Sequence, residues 1–93
     1  MLHKELINPN NMKKLITHRE QEILKLMAQG MSSKNIANEL GVSFHTIQTH
    51  RKNILRKLNQ NSTIRAVTVA TTVGIIPSNN FNIPLYFNND QQY

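Results

Sequence analysis

The chain has no cysteine and no tryptophan, and only five of its 93 residues are acidic. Without cysteine there can be no disulfide framework and no thiolate-ligated zinc, which suits a reducing compartment. Long apolar runs are missing too: nothing approaches the ~20 consecutive apolar residues of a membrane span. The opening MLHKELINPNN lacks the apolar core of a signal peptide. There is no glycine-rich phosphate loop, and the scattered carboxylates form no pair suited to acid–base chemistry. These absences set aside an enzyme, a secreted scaffold and a membrane protein. They leave the expectation of one soluble, cytoplasmic domain with no cofactor, no metal and no small-molecule ligand.

The acid deficit is local. Between Glu39 and Asp90 there is no carboxylate, yet Arg51, Lys52, Arg56, Lys57 and Arg65 fall inside that interval. Glu5, Glu20, Glu22 and Glu39 nearly balance the cations before it. A net charge of +6 and a pI near 10.1, concentrated in this way, imply an anionic partner. Nucleic acid comes first, a membrane surface second.

Periodicity predicts an all-α domain over 15–76, between a polar leader at 1–14 and an Asn-rich tail at 77–93. The Asn-Pro-Asn-Asn run at Asn8 to Asn11 reads as a turn. Thr17 and Glu20 have capping-box spacing, and Ile23, Leu24, Met27 and Ala28 share a face of the first helix. Ser32 caps a short second helix with Ile36, Ala37 and Leu40 inward and Gly41 as its stop. Ser43 caps the third, which runs to Leu58. At about 100° per residue its apolar series is Phe44, Ile47, Ile54, Leu55 and Leu58. His45, Gln48, Thr49, Lys52 and Arg56 gather opposite, and the Arg51 stem should lie along the core. The segment TIRAVTVATTVGII has strand propensity, but Ile64, Val67, Ala70 and Val73 recur at helical spacing, so a fourth helix is expected at 63–73. Four of the five aromatics, Phe81, Tyr86, Phe87 and Tyr93, fall in the tail, expected to be a frayed extension.

A short helix, a turn of about three residues around Gly41 and a longer helix make the spacing of a helix-turn-helix. The second helix of that motif enters the major groove while the first braces it. A carboxylate on a groove-facing surface would sit among phosphates, and the 43–58 helix carries none.

The blocks ITHREQEIL, GMSSKNIANELGVS and TIQTHRKNILRKL, with Ala66-Val67, resemble the LuxR/GerE-type helix-turn-helix domain. This is a four-helix DNA-binding module found in bacterial response and quorum-sensing regulators. The resemblance covers Leu15 to Ile76. It implies a transcription regulator, with the 43–58 helix in the major groove of double-stranded DNA and Gln48, Thr49 and Lys52 at the base edges. Gln48 suits adenine, Lys52 guanine, and the Thr49 methyl thymine. Backbone contacts are implied for Ser32, Ser33, Lys34, Thr46, His50, Arg51, Arg56 and Lys57. A homodimer through the 63–73 helix is implied as well, at Ile64, Val67, Thr68 and Thr71. The chain departs from the family pattern at His18 (usually Pro), Gln48 (commonly Lys), Asn59 (commonly Gly) and Arg65 (often Glu or Gln).

Two other readings remain open. The T-x-R-E opening is shared with the promoter-reading region of sigma factors, although THRKNILRKL argues against that. A module that pairs with another transcription regulator, without an operator of its own, would use the same fold. His45 and His50 are five residues apart, not the i, i+4 of a helical metal pair, so no metal is expected. About 15 residues precede the domain, too few for a receiver or signal-binding domain. The chain is expected to be either a stand-alone module or the end of a longer regulator.

Overall fold

A hydroxyl begins each of the four helices that build the domain. Thr17, Ser32, Ser43 and Ser62 sit at N-cap positions and accept from the backbone N–H of Glu20, Asn35, Thr46 and Arg65. Each satisfies a donor that has no partner within its own helix. The computed structural model describes residues 9–78, with five helices among them. They are α1 (Pro9–Leu15), α2 (His18–Ala28), α3 (Ser33–Leu40), α4 (Phe44–Lys57) and α5 (Thr63–Thr72). No helix of the described residues is long and apolar enough to cross a membrane.

The helix ends follow a second local rule. After α4 the chain turns through Asn59 at φ 56°, the one non-glycine residue with positive φ among those described. Asn59 N–H then donates to Arg56 O and Gln60 N–H to Leu55 O, at 3.1 and 2.9 Å. Asparagine tolerates the left-handed region at modest cost, so it serves where glycine is commoner. Gly41, at φ 69°, provides the equivalent turn between α3 and α4.

Ile23, Leu24, Ile36, Ile47, Ile54, Leu58 and Val67 are fully buried and centre the core. α3 packs chiefly on α4, and α5 packs on α2. The β-branched α5 is helical because Ala66, Val67 and Ala70 bury one face. On the outer face the Thr68 and Thr72 hydroxyls donate to the carbonyls of Ile64 and Thr68, each at 2.8 Å. Burial thus outweighs intrinsic strand propensity.

Three expectations are corrected. The leader is not outside the domain along its whole length. Pro9 opens a helix rather than a turn, a position where its missing N–H costs nothing, and Met12 joins the core. Phe44 is not a core residue but 52% exposed. It is the first residue of α4 and lies about 60° around the helix from Ile47. Val67 cannot form a dimer seam, because it is fully buried within one protomer. The expectations for the tail beyond Ser78 lie outside the described residues.

Two polar links join the helices. The Glu20 carboxylate accepts from the Thr17 backbone N–H at 3.0 Å and from Lys57 Nζ at 2.9 and 3.0 Å. The side chains of Lys57 and Glu20 are only 19% and 4% exposed. Arg51, half-buried, donates to the hydroxyl of Thr63 at the start of α5. Burial lowers the pKa of its guanidinium from the ordinary value, but arginine remains charged at neutral pH.

Removing one partner of a buried ion pair leaves the other charge uncompensated. Lys57→Met should therefore destabilise the domain by about 3 kcal/mol in chemical denaturation. Glu20→Gln/Lys57→Met should recover part of that loss. A Lys57→Met variant as stable as the parent would refute this role. Arg51→Ala should cost about 2 kcal/mol by loss of a charge-assisted hydrogen bond. Arg51→Lys should restore little of it, because an ammonium lacks the planar fork.

Candidate nucleic-acid interface

Leu40 ends α3 and Phe44 begins α4, so three residues (Gly41, Val42, Ser43) form the turn. Val42 N–H donates to Ala37 O at 3.0 Å, closing α3 and fixing the departure direction. Ser43 then caps α4, and its Oγ also lies 2.9 Å from Thr46 Oγ1. The turn therefore holds the N-terminal end of α4 by side-chain hydroxyls.

Ile47 and Ile54 face the core, which turns the opposite side of α4 outward. Gln48, Thr49 and Lys52 are exposed on that outer side, together with His45 and Arg56. Gln48 and Lys52 are one turn apart, with Thr49 beside them, so the three form one short ridge. No carboxylate lies on α4. Arg56 donates to the Asn53 side chain at 3.4 Å, a long and weak contact that leaves its guanidinium in solvent. At the start of α3, Lys34 is exposed, Ser33 is partly so, and the hydroxyl of Ser32 is occupied by capping. The α3 N-terminus still offers backbone N–H groups, the usual attraction for an anion.

The remaining backbone candidates divide. Thr46 and His50 are half-buried on the flanks of α4. Lys57 and Arg51 are engaged with Glu20 and Thr63, so their charges hold the fold together. Sequence reasoning missed both commitments, since the partners are 37 and 12 residues away. Spacing alone reveals only the capping role of Glu20. It performs that role through Oε1, which accepts the Lys57 ammonium as well. On α5, Thr68 is exposed and Ile64 and Thr71 are half-buried, while Val67 is in the core. Among the described residues no group of three His, Cys, Asp or Glu side chains is placed to hold a metal ion.

Residues 14–70 match the family described as bacterial regulatory proteins, luxR family. The response regulatory protein YgeK of Escherichia coli (strain K12), named as uncharacterized, is 45% identical over 60 residues, covering 64% of this chain and 41% of that protein. The transcriptional regulatory protein YdfI of Bacillus subtilis (strain 168) is 42% identical over 65 residues, or 70% and 30% of the two chains. The nitrate/nitrite response regulator protein NarP of Escherichia coli (strain K12) is 44% identical over 52 residues, 56% and 24%. The match thus spans less than half the length of these relatives. No solved structure matches the chain. With the family match covering well over half of its length and the helix-turn-helix in place, the chain belongs to the luxR family of bacterial regulatory proteins.

Proposed function

We propose that this chain is a transcription regulator that binds duplex DNA with sequence preference, α4 seated in the major groove and α3 bracing it. The observation that carries the reading is the exposed, carboxylate-free ridge of Gln48, Thr49 and Lys52. An amide, a hydroxyl with its methyl, and an ammonium are the groups that read base edges. Lys34, Ser33 and the α3 N-terminus take one phosphate strand, and Thr46, His50 and Arg56 flank the ridge. Lys57 is left out of the contact set, and Arg51 acts by positioning α4. Such a protein works in the cytoplasm, on the nucleoid.

Dimerisation through α5 belongs to the same proposal, with half-sites about one helical turn apart. Its seam is Ile64, Thr68 and Thr71. The competing reading is a module that pairs with another regulator and has no operator. Ionic strength separates the two, because phosphate contacts weaken steeply with salt and an apolar seam does not.

The test begins by selecting a preferred duplex from a random pool and titrating it against a scrambled one. Lys52→Ala should lose about 1–3 kcal/mol on the selected duplex and little on the scrambled one. Lys34→Ala should weaken both alike and lower the salt slope by about one. Equal losses on both duplexes for Lys52→Ala would overturn the assignment of the reading ridge. In sedimentation, Ile64→Asp should be monomeric where the parent is dimeric, since a two-fold seam sets the new charge against its own copy. A parent that stays monomeric on DNA and off it would remove the dimer from the proposal.

A further inference from the structure

Phe44 is the one large hydrophobic side chain exposed among the described residues, at 52%. It occupies the first position of α4, directly after the Ser43 cap. Gln48 lies four residues on and is exposed as well, so the ring and the amide are neighbours along one edge of the helix. The N-terminal residues of a recognition helix are the ones that approach base edges. An aromatic ring there forms no hydrogen bond, so it offers nothing to a phosphate, a guanine or a cytosine. In the major groove the one apolar group on a base edge is the thymine 5-methyl.

We infer that Phe44 is a specificity-determining residue, covering the methyl of a thymine beside the base pair that Gln48 reads. This rests on the major-groove reading above and extends its contact surface by one turn toward the start of α4. The exposed ring costs little in the free protein, because singly exposed apolar side chains are ordinary. In the complex it gains a dry partner. The code predicted for this end of the helix is then an A·T-rich pair of steps, with adenine facing Gln48 and a methyl facing Phe44.

Replacing thymine by uracil deletes the methyl and leaves the Watson–Crick edge and the phosphates unchanged. On the selected duplex, uracil in place of the contacted thymine of one half-site should weaken the parent about fourfold, the worth of one buried methyl. The same substitution should leave Phe44→Ala unaffected, while Phe44→Leu keeps part of the sensitivity. Thermal melting of Phe44→Ala should stay close to the parent, since the ring is 52% exposed and is not one of the buried core residues. If the parent prefers the selected duplex but ignores uracil at every thymine, the Phe44 assignment is wrong and the groove reading stands. The assignment fails equally if Phe44→Ala keeps the parent's uracil sensitivity. If no duplex is preferred at all, the groove reading falls and Phe44 falls with it.

Discussion

The Glu20 carboxylate joins two structural levels, a helix start and a contact between helices. Through the Thr17 backbone N–H it completes the capping box that starts α2, and through Lys57 it grips the last turn of α4. A cation in that last turn also opposes the negative end of the α4 dipole. The helix that carries the outward ridge is thereby held at its C-terminal end by charge, near its middle by Arg51 and at its start by Ser43. Rotation of α4 by one residue, about 100°, would replace every side chain on the ridge. The fold spends polar contacts on preventing that rotation, in addition to the burial of Ile47 and Ile54.

This arrangement divides the positive charge of the chain into two classes that composition cannot distinguish. Lys57 and Arg51 are structural cations, desolvated and answered by a carboxylate and a hydroxyl. Lys52, Arg56 and Lys34 stand in solvent. In the proposed DNA complex only the second class would displace counterions from phosphate, so the net charge of +6 overstates the charge free for an anion.

What could be read from the sequence was whatever is local. The hydroxyl caps at Thr17, Ser32 and Ser43 and the inward Ile36, Ile47 and Ile54 each depend on residues within a turn or two, and the structure places all of them as expected. The outward direction of Gln48, Thr49 and Lys52 followed from the same helical period. What failed was long-range or terminal. Lys57 sits on the edge of the apolar side of α4, and no pattern announces a carboxylate 37 residues earlier. Phe44 obeys the period of the buried face but stands at the helix end, where the period no longer guarantees a neighbour. The segment at Pro9–Leu15 carries turn residues, and it is helical because Met12 finds the core, a tertiary effect.

Under the proposed function, the exposed ridge and the residues that support it bear on how such a domain could change its preferred sequence without losing its shape. Gln48, Thr49 and Lys52 are exposed, and no hydrogen bond or ion pair ties their side chains to the described residues. Substitution there alters chemistry at the surface and removes little from the core, a change that usually stays within about 0.5 kcal/mol. Glu20, Lys57, Arg51 and the four caps lie on other faces and position the ridge whatever it contains. In the proposed DNA complex a reading surface built in this way could vary freely only while its supports did not, because each support acts on the orientation of the whole helix rather than on any one base contact. In the proposed DNA complex, Gln48, where the resemblance to the family leads one to expect lysine, would then be a change of code on an unchanged frame.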